Sequence, residues 1–188
     1  MDKSNTIDLS NLNQTIDNGL NYLFSKIIDG HWRGFPTLAG ESDIWVTGFI
    51  VAHIYKLCDG AEVIKEAQDF LIKSRQPSNG CSYSANVPSD AASTAWCLLA
   101  LQSSTLLSAL DVESAKSFMW HHFVNKGIST YRIESGIGRF ISAPSNKAIQ
   151  GWTSAHPDVS IAAVLADIQH KNVPDILKWL MTLQSSDG

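Results

Sequence analysis

The sequence has no concentrated basic run. Its 14 lysines and arginines stand against 18 acidic side chains, for a net charge of −4. A nucleic acid or an anionic membrane surface needs a dense positive patch, so neither is expected as a partner. Long hydrophobic runs are lacking too: no stretch approaches the ~20 apolar residues that cross a bilayer, so no transmembrane segment is expected. Residues 1–14, MDKSNTIDLSNLNQ, form a polar N-terminal segment without the apolar core of a signal peptide. Cysteine is scarce. Cys58, Cys81 and Cys97 are odd in number, far apart and form no CxxC pair, which points to reduced thiols in a cytoplasmic protein. Strand-like alternation is scarce as well: only ISTYRIESGIGRFIS, residues 128–142, hints at it, and Gly136 and Gly138 weaken the hint.

What the sequence does have is repetition, spread over residues 15–188, a length that fits one domain with a sizeable core. Four segments carry a helical apolar stripe with charge opposite. The stripes are Ile16, Leu20, Leu23, Phe24 and Ile27; Val63, Ile64, Ala67, Phe70 and Leu71; Ala115, Phe118, Met119, His122 and Phe123; and Ile176, Leu177, Leu180 and Met181. Between them lie WVTGFIVAHI, TAWCLLAL and VSIAAVLADI, which are apolar nearly all round and expected to be buried on most sides. Each of these follows a polar cluster: Ser42-Asp43, Ser89-Asp90 or His156-Pro157-Asp158. A glycine follows each two-faced helix (Gly30, Gly80, Gly127 and Gly188) and fits a helix stop.

The order is therefore outer helix, glycine turn, linker, capped inner helix, repeated for three helical pairs and opening a fourth outer helix. Such pairs cannot each make a core alone and must stack side by side. The expected fold is all-α: an α/α toroid, as a half-barrel or open arc of helical hairpins. The third linker, residues 128–155, is much the longest. With Tyr131, Arg132, Phe140 and Trp152 in it, it reads as an ordered flap over one mouth of the stack, or else as a surface insertion that only extends the repeat.

These residues resemble the squalene-cyclase-like family of terpene cyclases and prenyltransferases. Its recurring QW motif sets an aromatic and a leucine ahead of a glutamine, then a glycine and a second aromatic. Trp179, Leu180, Gln184 and Gly188 fit that pattern, and Phe70, Gln76, Gly80 and Tyr83 form a looser copy. The resemblance covers most of residues 16–188 and implies a cavity between the inner helices that takes an apolar isoprenoid. It also implies about six helix pairs in a closed ring. This chain supplies roughly half, so it is expected to be part of a longer protein, with pairing of two half-rings in a homodimer as the alternative.

The family's acid motif, DxDDTA, donates a proton from its middle aspartate. Setting Thr94-Ala95 on its end puts Asp90 at the first acid, Ala92 at the middle one and Ser93 at the last. The zinc ligands of the prenyltransferase branch, a cysteine and a histidine, fall on Ala92 and Ser93, and no DDxxD pair for magnesium diphosphate occurs. No metal or cofactor is therefore expected; a cluster of Cys81, His156 and Asp158 matches no established zinc spacing.

Asp43, Asp90 and Asp158 open successive inner helices, where carboxylates satisfy unpaired backbone N–H groups. They are caps first. As a ring at one mouth, Asp158, Asp90 and His156 are the candidate catalytic groups, while Asp43, Trp45, Tyr83, Trp96 and Trp152 are candidates for contact with substrate. Aromatic faces there would stabilise a carbocation, though the same rings also serve as core packing. Two functions follow: acid-initiated cyclisation of an isoprenoid, or a non-catalytic binding or scaffold module that keeps the arc without acid chemistry. A zinc prenyltransferase-like protein is a third.

Overall fold

The computed structural model describes residues 9–185, apart from 59, 103, 105 and 106; Gly188 lies outside the described residues. Three short, mostly apolar helices form an inner row: α2 (Ile44–Ile54), α4 (Ala91–Leu101) and α8 (Pro157–Ala166). Outside them run α1 (Leu9–Phe24), α3 (Glu62–Lys73), α5 (Ala109–Trp120) and α9 (Val173–Leu183). Between α5 and α8 come two one-turn helices, α6 (Ile137–Phe140) and α7 (Gln150–Thr153). The inner helices pack on one another in sequence, α2 on α4 and α4 on α8, and each outer helix from α3 onward packs on the inner helix beside it. This is an all-α arc of the α/α toroid kind. Among the described residues, no helix is long and apolar enough to cross a membrane.

The helices begin where local chemistry allows. Asp43 caps α2 and accepts from the Ile44 amide at 2.7 Å, and Asp90 caps α4 by accepting from the Ser93 amide at 2.7 Å. α8 starts differently: Pro157 occupies its first turn, where no backbone donor is needed, and His156 is the cap residue without a side-chain bond.

One buried hydroxyl per repeat ties each inner helix to the strap of chain before it. The Trp32 amide donates to Thr47 Oγ1 at 3.0 Å, the Cys81 amide to Thr94 Oγ1 at 2.9 Å and the Ile128 amide to Ser160 Oγ at 2.8 Å. Each hydroxyl sits four residues after Asp43, Asp90 or His156, and none of the three side chains is more than 1% exposed.

The glycines do a different job from the helix stops expected. α3 ends at Lys73 and α5 at Trp120, seven residues before Gly80 and Gly127 respectively. A Cβ on Gly80 would lie 2.5 Å from the Phe118 ring, and one on Gly127 would lie 2.6 Å from the Trp179 ring. Each glycine therefore leaves room for an aromatic of the following outer helix. Gly30 stands in the same relation to α3, since its Cβ would meet the Glu66 carbonyl at 3.3 Å.

Other expectations also shift. α1 begins at Leu9, within the segment read as polar. The third stripe is cut short: α5 stops at Trp120, and Phe123 instead enters a hairpin of β3 (Phe123–Val124) and β4 (Gly127–Ile128). Asn125 and Lys126 turn that hairpin with positive φ, as a two-residue reversal demands. On α9 the buried positions are Val173 and Ile176, while Leu177 and Met181 are exposed; on α8 Ile161 and Leu165 are exposed. Those faces have no neighbouring helix among the described residues, so a greasy sequence did not bring burial on every side. A second hairpin, β1 (Pro36–Thr37) with β2 (Gly40–Glu41), lies in the first linker. The strand-like hint over residues 128–142 resolves into helical turns at Ile133–Ser135 and α6, with only Ile128 in a strand.

Replacing Thr94 by valine removes the acceptor of a buried amide, which costs about 1–3 kcal/mol. Denaturant melts should show that loss for Thr94→Val and for Ser160→Ala, while Thr94→Ser stays near wild type. Gly80→Ala should cost about 1–3 kcal/mol by overpacking. Pairing it with Phe118→Leu should recover part of that loss in the same melt.

Candidate functional site

The N-terminal turns of all three inner helices meet at one cavity of about 300 Å³. Trp45 from α2, Trp96 and Ala92 from α4, and Asp158 and Val159 from α8 reach its wall, with Asp90 and His156 at the helix caps. Tyr83 and Trp152 complete the set of candidates it gathers. Of the eight residues singled out from the sequence, only Asp43 stands away from the lining. Its oxygen is engaged with its own helix.

The sequence-based reading did not single out several other lining residues, among them Phe35, Thr130 and Tyr131. A signal for two of them was present: Phe35, Tyr83 and Tyr131 each follow a strap glycine by three to five residues, at Gly30, Gly80 and Gly127. The strap carries that aromatic to the cavity. Backbone bonds hold it there, because Ala91 N–H donates to the Thr130 carbonyl at 3.0 Å and Tyr131 N–H to the Trp152 carbonyl at 2.8 Å. Residues 128–155 thus build one wall and have a small core of their own, in which Tyr131 packs with Ile137 and Ile149. Neighbouring rings also support one another: Trp45 lies 6.3 Å from Tyr83, and Tyr131 lies 6.0 Å from Trp152.

The carboxyls differ sharply. Asp158 is solvent-exposed at the rim. Asp90 is 1% exposed, and burial pushes its pKa up to about 7. That rise prevails over the Ser93 hydroxyl and amide, which donate to its two oxygens at 2.7 Å each and favour the anion. Ala92, two residues on, is 8% exposed and carries no acid.

Two more polar atoms stand out. Tyr131 is 2% exposed, and its Oη has no hydrogen-bonding partner; His156 Nδ1 is likewise buried and unpaired. Burial raises the Tyr131 phenol well above its ordinary value, and the Asp90 carboxyl beside it adds to the rise. No lysine or arginine among the described residues lines the cavity.

Cys81 does not join His156 and Asp158. It lies with Cys97 and Arg75 around a separate small void behind the strap. Among the described residues, no three His, Cys, Asp or Glu side chains gather closely enough to hold a metal ion. Gln76 braces the strap instead of the cavity, donating to Ser82 Oγ and the Val87 carbonyl at 3.0 Å each.

This is the helical-hairpin arc of an α/α toroid with an aromatic, acid-capped cavity at the inner helix N-termini. The chain matches no protein-family profile and no curated protein sequence. Among solved structures it is similar to the type II terpene cyclase MstE from Scytonema. The ligand-free form is 24% identical over 93% of this chain and 52% of that one, with a TM-score of 0.77. A variant of that cyclase in complex with merosterolic acid A, its product, is 25% identical over 95% and 53%, with a TM-score of 0.79. A protein from Actinoplanes is 23% identical over 92% and 52%, with a TM-score of 0.77. The chain spans about half the length of these structures.

The raised Asp90 pKa has a signed consequence. The folded state holds this proton more tightly than the unfolded chain does, so the stabilisation is complete below about pH 4. It is lost as pH rises toward about 7. Asp90→Asn keeps a capping oxygen without that titration. Thermal melts should show the variant gaining on wild type from about pH 4 to about pH 7, then holding a constant margin above it.

Proposed function

We propose that this chain takes an apolar isoprenoid into the α2–α4–α8 cavity and, as part of a terpene cyclase-like protein, starts cyclisation by proton transfer from Asp90. The observation that carries this reading is the buried Asp90 carboxyl: it is the desolvated acid of a mostly aromatic and apolar wall, and burial pushes its pKa up to about 7. A general acid must keep its proton until the substrate arrives and must leave a stabilised anion behind. Ser93 supplies the second condition through its hydroxyl and amide. The proton goes to the end of the isoprenoid that reaches Asp90, and a cation forms on the chain. Internal double bonds then close onto it, and loss of a proton ends the sequence. Trp45, Trp96 and Trp152 line the cavity, where aromatic rings would stabilise a cation along that path.

Support from similarity is of the same kind. The Scytonema cyclase is seen with geranylgeranyl dihydroxybenzoate as substrate and with merosterolic acid A as product. Asp158, offered with Asp90 as a possible donor, becomes the secondary candidate, because it is exposed at the rim and not enclosed by the wall. Asp43 acts as a helix cap.

One observation favours the second reading, a binding module without acid chemistry: alanine stands at residue 92, on the cavity wall, where the family motif sets its proton donor. Incubation of the purified protein with squalene and with a geranylgeranyl-bearing phenol, followed by mass spectrometry of extracts, separates the two. Under the catalytic reading a cyclised isomer accumulates, Asp90→Asn lowers its rate by a factor of about 10² or more, and Asp158→Asn retains it. Saturable quenching of tryptophan fluorescence without product would leave the binding module in possession. Neither quenching nor product would end the isoprenoid reading.

A further inference from the structure

We infer that His53 on α2 takes up the proton whose loss ends the cyclisation. The inference rests on the acid-initiated reading of Asp90 and deepens it, from where a proton enters the substrate to where one leaves.

A line of rings runs out of the cavity along one face of α2. Trp45, Phe49 and His53 recur at every fourth position, so they stand one above another on the helix. Trp45 is stacked with Phe49 at 5.4 Å, and the Phe49 ring lies 4.3 Å from that of His53. Trp96 of α4 closes against both, 5.0 Å from Phe49 and 5.3 Å from His53. Trp45 and Trp96 belong to the cavity wall, so these rings carry that wall onward past its enclosed part. From Trp45 to His53 the helix rises about 12 Å, the length of several fused six-membered rings.

His53 is the titratable member of this line, and its tautomer is set. Nδ1 lies 2.7 Å from the Phe49 carbonyl. A carbonyl can only accept, so in the neutral ring Nδ1 carries the hydrogen and Nε2 keeps the free lone pair.

The course of the reaction selects this end of the line. Asp90 delivers its proton at the helix N-termini, and each ring closure moves the positive charge farther from it. His156 and Asp158 lie at the acid end, where the charge starts. Phe49 and Trp96 favour a cation beside His53. There the electron pair of a C–H bond next to the cationic carbon becomes the new double bond, and the proton passes to Nε2. His53 is exposed, so its imidazolium returns the proton to water, and Asp90 regains one from solvent once product leaves. The reaction is then an isomerisation with no net gain or loss of protons.

The composition of the products tests this. A geranylgeranyl-bearing phenol is incubated with wild type, His53→Phe and His53→Ala, and the extracts are resolved by chromatography with mass spectrometry. Wild type should yield one principal alkene. In both variants its ratio to isomeric alkenes, and to alcohols heavier by one water, should fall about 10²-fold, the lower end of what a positioned base supplies. Added imidazole should restore the wild-type alkene in His53→Ala, which it would not do for a ring that only packs. An unchanged ratio in His53→Phe overturns the inference and leaves the Asp90 reading standing. A changed ratio that imidazole fails to correct in His53→Ala also overturns it. Absence of any cyclised product from wild type removes the acid reading and the inference together.

Discussion

A single buried hydroxyl in each repeat governs the rest of this structure. Thr47, Thr94 and Ser160 each receive a backbone amide from the strap that leads into their own inner helix. An amide on a residue this deeply buried must find an acceptor within the protein or remain unsatisfied, and the hydroxyl supplies it. Thr94 and Ser160 also donate to the carbonyl four residues earlier, at 2.6 and 2.7 Å, and so use both capacities of the group. The tie fixes where the strap runs. The strap then delivers a glycine to the next outer helix, against an aromatic ring at Gly80 and Gly127, and a tyrosine or phenylalanine to the cavity. Outer layer, inner layer and site are thus positioned by one recurrent bond.

The same economy joins architecture to chemistry at Asp90. Its N-cap role needs only a carboxylate oxygen near the Ser93 amide, and a water-exposed aspartate would serve. What sets Asp90 apart is the segment before α8: Thr130 accepts from the first turn of α4, and Tyr131 stands beside the carboxyl. Removal of water raises the cost of the charged form more than Ser93 lowers it. Asp43 performs the same capping role under partial cover, and Asp158 sits in the first turn of an exposed helix start. Three similar aspartates therefore have three different environments, and only one of them is the buried acid of the cavity.

Much of this was legible before any coordinates. The two kinds of helix, their alternation and the common orientation of the inner N-termini follow from apolar spacing and from the polar residues ahead of each greasy run. Seven of the eight residues singled out do gather at one cavity, because residues at equivalent points of stacked repeats are carried to the same end. Relative importance was not legible. On sequence Asp158 and Asp90 stood side by side as possible donors, whereas burial by a distant segment singles out Asp90. Tyr131 was visible only as one aromatic in a long linker. The glycines were read as helix stops since spacing cannot distinguish a turn from a place where a ring must fit.

The sequence by itself determined the layers, because the period of apolar residues and the caps are local properties of neighbouring positions. It also determined which residues recur at equivalent places in the repeats. Tertiary structure alone decided which acid loses its water, which hydroxyl is left without a partner and which greasy faces stay uncovered. Those are matters of what comes to lie against a side chain from tens of residues away, and dielectric environment and hydrogen-bond satisfaction depend on that contact and not on the identity of the residue.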